Sequence, residues 1–365
     1  MSLRVFYLPG DHDYFRALYG AMSSLDSPQS RGVLAVPRRE RQALRDLANC
    51  WSGVDLVHVG WPEHLLADPS PGCSSHEGHT LEALDSLGRS GALVVWTMHN
   101  RRPHFWPAAA GDALYARMAT LARAVIHHSK GGMREMTGAF SYRSDAIHDV
   151  IPHGHYAAEL TICEDRIECE RRLGLTPCAL RFGVLGRAQP EKRVADIARA
   201  FLAGAGFDRQ LLVTALGSDE PLPSDPRLAY RPRSRWLARE EIAIQVKCCD
   251  CLVAWHGGGS HLTSGLVADA IGAGIPMLVN ADWEYWREIM GTAAFTYADE
   301  DGLAEAFATL TPADIARGAL AAASLRPAND WSKAARETAR LFARAWRART
   351  RARGRSVHDR ISLLS

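Results

Sequence analysis

Short runs rich in Val, Leu and Ile recur through the first half of this chain, at 4–9, 32–37, 54–60, 92–98, 124–128 and 146–151, and most lack regular alternation with polar residues. A strand with one face in water shows that alternation. A strand covered on both faces does not, and parallel sheets are covered on both faces because each crossover lays a helix over them. Helical stretches separate the runs, for example 39–48, 77–88 and 109–122. The order strand–helix–strand–helix predicts a doubly wound α/β sheet. A polar segment at 154–177 interrupts the pattern, with one short helix from Glu164 to Leu173 stopped by Gly174. The alternation then resumes: strand 181–186, helix 191–203, strands 210–216 and 228–231, helix 238–248, strand 250–255, helix 264–273 and strand 276–279. Ligands of such sheets bind at the carboxyl ends of the strands, where loops meet helix N-termini.

A length of 365 residues suits two domains. The expected division is a first α/β domain over 1–155, a linker over 156–178 and a second α/β domain over 179–330. An amphipathic helix follows at 331–346, its apolar face formed by Trp331, Ala334, Ala335, Leu341, Phe342 and Ala345. Beyond it, 347–365 carries Arg347, Arg349, Arg351, Arg353 and Arg355 with almost no acids and reads as a disordered basic tail. That tail suits solvent, with anionic lipid or a phosphorylated acceptor as the alternative contact. The formal net charge of +2 is too small to make nucleic acid or membrane the main partner. No run of about 18 apolar residues predicts a transmembrane helix. Residues 1–8 read as a strand and lack the basic start of a signal peptide, so a cytoplasmic location is expected.

Cys248 and Cys251 have C-x-x-C spacing with His256 nearby, but no second pair completes a four-ligand site, and Cys251 opens an apolar run. Core packing is the reading here. Asp11-x-Asp13 has the form of a metal motif but follows the first strand, so no metal site is expected.

Two stretches carry chemistry. In Phe182–Val194 a strand ends in Gly186, a cation follows at Arg187, and a helix opens near Glu191 with Lys192 beside it. Such a turn sets Arg187 and Lys192 above a strand end, where they and free helix N–H groups neutralise a diphosphate; two surface cations in an ordinary loop are the plainer alternative. In Trp255–Pro276 a strand ends in Gly257-Gly258-Gly259, which suits close approach of a phosphate. Thr263 or Ser264 is placed to cap the next helix. Gly186, Thr263, Ser264 and Gly265 are further candidate donor contacts, and Asp269 falls in the first two turns of that helix, placed to accept ribose hydroxyls.

Together these stretches resemble the retaining glycosyltransferases of the family four-like group. The resemblance implies the GT-B architecture, two Rossmann-like domains facing across a cleft, with Arg187 and Lys192 gripping the donor diphosphate. It further implies that His261 and Asp269, eight positions apart, stand where that family has two glutamates, contacting donor sugar and ribose. His261 in place of the first glutamate is a departure. Val150–Gly154, Arg171–Leu175 and Asp330–Ser332 are similar to the family's hinge strand, the helix before its second domain, and its C-terminal helix crossing back to the first.

In the first domain, Trp96–His104 resembles the strand-end histidine loop facing the reaction centre, which makes His99 a candidate catalytic residue and Asn100 an acceptor contact. Gly10, Asp11, Asp13 and Glu63 are the other candidate acceptor residues. Trp283 and Trp286 either stack on a ligand or pack. The implied reaction moves a sugar from a nucleoside-diphosphate sugar to a hydroxyl, with no cofactor and no metal, and with retention of configuration. Inversion would need a base from Asp11, Asp13, Glu63 or His99. The implied partners are the donor and a small-molecule or lipid-linked acceptor, without nucleic acid and with at most peripheral membrane contact. A GT-B epimerase, a pseudo-glycosyltransferase and a non-catalytic nucleotide-sugar-binding protein are the competing readings.

Overall fold

The computed structural model describes residues 3–25, 33–37, 53–65, 75–104, 106–187, 190–216, 221–235, 237–256, 261–283 and 285–352. The expected helix at 39–48, the glycines 257–259, and Cys50 and Cys73 lie outside them. The chain forms two compact units, one of residues 1–154, 260–263 and 330–365, the other of 155–259 and 264–329.

In the first unit β1 (Leu3–Leu8), β2 (Val33–Pro37), β3 (Leu56–Val59), β4 (Leu93–Met98), β5 (Ala124–His127) and β6 (Ile147–Val150) form a six-stranded sheet in the order β2-β1-β3-β4-β5-β6. Every pairing is parallel. β3, β4 and β5 are buried at every residue, which is why their sequences show no alternation. Helices α1 (Asp13–Ser24), α2 (Ser75–Arg89), α3 (Ala108–Leu121) and α4 (Lys130–Ala139) make crossovers. Asp13, a candidate acceptor residue, is the first residue of α1. The His12 imidazole accepts from the Tyr14 N–H at 3.2 Å, so the helix starts at Asp13, whose carboxylate pairs with Arg16.

The polar segment folds into the second unit. α5 (Arg166–Arg172) starts where the Asp165 side chain accepts from the Glu168 N–H and ends before Gly174, whose φ of 55° suits only glycine without strain. The second sheet holds β7 (Leu180–Arg187), β8 (Arg209–Leu216), β9 (Leu228–Tyr230), β10 (Cys251–Ala254), β11 (Met277–Asn280) and β12 (Ala294–Tyr297) in the order β12-β11-β10-β7-β8-β9, again all parallel. Its helices are α6 (Val194–Gly204), α7 (Arg239–Lys247), α8 (Gly265–Ala273), α9 (Tyr285–Met290), α10 (Glu300–Thr309) and α11 (Pro312–Ser324). Cys248, Cys249 and Cys251 are free thiols buried in this unit, as the packing reading requires. Among the described residues no group of His, Cys, Asp or Glu is arranged to hold a metal ion.

α12 (Trp331–Ala352) belongs to the first unit and packs on α1, β4 and β5. It corrects the reading of 347 onward as disordered: the helix continues through 352, because Arg349 reaches the carbonyls of Asp55 and Gly91 and lies over the Trp346 ring. No helix among the described residues is long and apolar enough to cross a membrane.

The second unit is tied to its entering segment by an arginine with no exposed surface. Arg181, in β7, donates to Glu170 at 2.5 Å, Gln210 at 2.8 Å, the Thr176 carbonyl at 2.7 Å and the Cys248 carbonyl at 3.1 Å. Arg166 adds a two-pronged pair to Asp250 and a bond to Glu170. Removing one member of such a network leaves a buried charge without compensation, at a cost of about 3–5 kcal/mol. Arg181→Ala should therefore lower the urea midpoint of the second unit far more than Arg171→Ala, whose exposed pair is worth little. Equal, small losses in tryptophan-monitored unfolding would show that the network carries no stability.

Candidate functional site

Because both sheets are parallel throughout, each gathers the residues that follow its strands along one edge. At the first edge lie Gly10 and Asp11 after β1, Trp61 and Glu63 after β3, His99 and Asn100 after β4, His128 after β5 and His153 after β6. His99 stacks on Trp61 with ring centroids 4.0 Å apart and planes 4° apart. Tyr14 meets His99 edge-on at 4.6 Å, and His128 lies 4.9 Å away. Tyr14 also touches His153 and Trp331, the first residue of α12. His128, the centre of this group with His99, escaped the sequence reading because it closes an apolar run; the Ser129 after it, which caps α4, was the available signal.

Burial, followed by the mutual repulsion of the rings, sets the protonation of this edge. His99 is held well below the ordinary histidine range by burial first and then by His128, His153, His12 and His58. His128 is pushed down to about 3 and His153 to about 4, burial again leading. The Nδ1 of His128 lies 2.8 Å from the Ile151 carbonyl, which only accepts, so Nδ1 carries the proton and Nε2 is a lone-pair acceptor. The Nε2 atoms of His99 and His128 and the carboxamide nitrogen of Asn100 are buried without a hydrogen-bond partner. Glu63 is buried beside Tyr115, and burial raises its pKa to about 7 against the opposing influences of His64 and Tyr115. His58 lies beneath, bound to Thr97 at 2.7 Å and Tyr19 at 2.8 Å; its role is structural. Asp11 is exposed.

His261 and Thr263, read as donor residues of the second domain, fall in the first unit. Residue 261 forms a bridge with Asn100, the Leu262 N–H donates to the His99 carbonyl at 3.1 Å, and the His261 ring lies 4.8 Å from His104.

At the second edge β7 ends in Gly186, with φ 116°, and the exposed Arg187. A 3-10 turn, Pro190–Lys192, follows, so the helix expected from 191 starts later, at Val194. The Lys192 ammonium is lowered by burial and by Arg187, with Glu191 opposing. His256, after β10, is pushed down to about 3 by burial and then by Lys192. Lys192 thus lies within electrostatic reach of both Arg187 and His256. The Asn280 side chain holds the His256 backbone, accepting from its N–H at 2.8 Å, and Trp283 covers the ring at 4.2 Å. Trp283 and Trp286 are buried, which favours their packing role. Ser264 sits at the N-cap of α8 but its side chain makes no capping bond, so neither expected cap operates. Gly265 opens the helix in an exposed position. Asp269 is buried and bound at 2.5 Å by Arg239, which stacks on Tyr156. Arg239 lies 30 residues away in sequence and nothing local announces it.

Arg193 joins Lys192 to α6 with a φ of 45°, a conformation costly for any residue but glycine and a few polar ones. It is held there by ion pairs to Asp196 and Glu300 and by the Trp255 ring, 4.2 Å from its guanidinium.

No protein-family model matches the chain, and no curated protein matches it by sequence. Solved structures do. HepE of Anabaena, in complex with UDP and glucose, gives a TM-score of 0.66 at 14% identity, covering 94% of this chain and 100% of that one. Sucrose-phosphate synthase from Thermosynechococcus elongatus gives 0.67 at 12%, covering 95% and 100%. α,α-Trehalose 6-phosphate synthase from Burkholderia multivorans gives 0.62 at 14%, covering 97% and 100%. The likeness bears out the expected fold, two Rossmann-like units of the GT-B class.

The depressed histidines predict acid sensitivity. In the unfolded chain they bind protons below about 6.5, while His58, His128 and His153 stay neutral in the fold until about 3 to 4. Their contribution is complete above pH 6.5 and is lost as pH falls through that window. Glu63 runs the other way, its contribution present below about 4.5 and fading as pH rises through about 7. The histidines outnumber it, so the melting temperature should fall between pH 6.5 and 4, and His128→Gln should shallow the slope. A flat profile would mean that the rings are hydrated.

Proposed function

We propose that this chain is a glycosyltransferase that moves a sugar from a nucleoside-diphosphate sugar to an acceptor hydroxyl, with no metal ion and with retention of configuration. The observation that carries the reading is the second-sheet edge, where Arg187 and Lys192 converge beside a glycine whose φ of 116° leaves the backbone open to a close ligand. Cleavage of the donor's glycosidic bond leaves negative charge on the diphosphate. Two fixed cations, one partly desolvated, stabilise that charge more than they stabilise the neutral bond being broken, and this difference is what accelerates a reaction. The same cations supply the neutralisation that a divalent metal would otherwise give. HepE, of the same fold, has been solved with UDP and with UDP-glucose, which supports a uridine donor.

The first-sheet edge suits the acceptor. Trp61 and His99 offer stacked ring surface, and the lone pairs on His99 and His128 accept from hydroxyls. Retention is supported by the state of three of the four candidate bases: Asp13 is tied to Arg16, Glu63 holds its proton up to about pH 7, and burial makes His99 a weak base, which leaves the exposed Asp11 as the base an inverting reaction would need. Asp269, bound to Arg239, is a carboxylate oriented in advance for the donor's ribose.

Thermal shift with UDP, GDP and ADP in chelator-treated buffer tests the donor site. One nucleotide should raise the melting temperature, and Arg187→Ala should weaken its binding about 10- to 100-fold, the worth of one charge-assisted hydrogen bond. No shift with any nucleotide, with or without magnesium, would overturn the reading. Product anomer by NMR tests retention: an inverted product would reassign the catalytic role to a strand-end base.

A further inference from the structure

The C-terminal helix carries a pattern that neither edge uses. Lys333, Arg336, Arg340, Arg344, Arg347 and Arg351 recur along the 22 residues of α12 at spacings of three and four. At about 100° per residue they fall within an arc of roughly 80°, and Lys333 and Arg351, about five turns and 27 Å apart, share one azimuth. Arg336, Arg340, Arg344 and Arg351 are exposed. Glu337 flanks the stripe. The opposite arc, with Trp331, Ala335, Leu341, Phe342, Ala345 and Trp346, is buried against the first unit.

Elsewhere among the described residues Arg89, Arg134 and Arg287 also stand without an acid, but many exposed arginines are matched: Arg16 with Asp13, Arg117 with Asp85, Arg171 with Glu168, Arg235 with Glu241 and Arg317 with Asp314. On the stripe only Arg344 is, through Asp149. Among the described residues Lys333, Arg336, Arg340, Arg347 and Arg351 have no such acid. A row of like charges on one helix face repels itself, so its retention fits an anionic partner supplied from outside.

We infer that the exposed face of α12 is a docking surface for an anionic lipid bilayer. A straight row of cations matches a flat anionic plane. It presents no aromatic ring on which bases would stack, because Trp331 and Trp346 are both turned inward and buried. The small net charge of the whole chain does not oppose this, since a bilayer meets only the face presented to it. Trp331, where the stripe begins, touches Tyr14 and His153 at the first-sheet edge. If the proposed transferase reading also holds, its acceptor is carried by lipid; the docking surface does not rest on that reading.

The test is co-sedimentation of the full chain with vesicles of phosphatidylcholine alone and of phosphatidylcholine with phosphatidylglycerol. Binding should require phosphatidylglycerol and fade with salt. Each cation is worth roughly fivefold in partitioning, so Arg336→Gln/Arg340→Gln/Arg347→Gln should lose on the order of 100-fold. Glutamine keeps nearly the helix propensity of arginine, and a circular-dichroism melt confirms the variant's fold. Should the triple variant unfold, Arg340→Gln alone should lose about fivefold. Equal partitioning of wild type and variant, no preference for anionic vesicles, or binding of an RNA oligonucleotide in place of vesicles would overturn the proposal. Nucleotide thermal shift on the same samples separates the two readings: vesicle binding without any nucleotide response leaves the docking surface standing and removes the donor site.

Discussion

Burial of parallel strands on both faces is the constraint from which the rest of this structure follows. β3, β4, β5, β10 and β11 expose no face to water, so a polar side chain within them must bring its own partner. His58, Thr97 and Tyr19 satisfy one another in a chain, and Arg181 collects carbonyls and carboxylates around its whole guanidinium. The polar groups of the two candidate edges stand where the strands end. Concentration of His99, Asn100 and His128 at one edge and Arg187, Lys192 and His256 at another is thus a result of topology before it is a result of function.

The two edges differ electrically. The first is crowded with imidazoles that burial keeps uncharged, and it offers lone pairs and ring faces. The second holds Lys192, whose ammonium is lowered by burial and by the Arg187 cation. The neutral polyhydroxyl acceptor and the diphosphate proposed above differ in the same sense.

Much of this was legible in the sequence. The strand runs predicted the first sheet and all of the second but its edge strand β12 to within about two residues, because burial on both faces suppresses the polar alternation that would blur a boundary; β12, whose residues are mostly half-exposed, was missed. The Gly186–Lys192 spacing announced the cation pair. What the sequence withheld was set by partners distant along the chain. Arg239 finds Asp269 only in the fold, and the last turns of α12 are secured by carbonyls of residues 55 and 91, so an apolar pattern that stops at Trp346 gave too early an end. The start of α1 was hidden because histidine is an unusual N-cap. His128 was hidden because an imidazole that closes a buried strand looks, in sequence, like the strand itself.

The backbone bond that fixes the tautomer of His128 has a wider consequence. His153, whose Nδ1 faces the Gly154 carbonyl at 2.7 Å, is fixed in the same sense. Rings anchored this way answer to the direction of a hydrogen bond. They welcome a ligand group that brings a hydrogen and repel one that brings only lone pairs, such as a carboxylate, a ketone or a phosphate oxygen. The carboxamide nitrogen of Asn100 stands at the same edge as a donor, so the polar groups there match a hydroxyl, which both gives and takes a hydrogen bond.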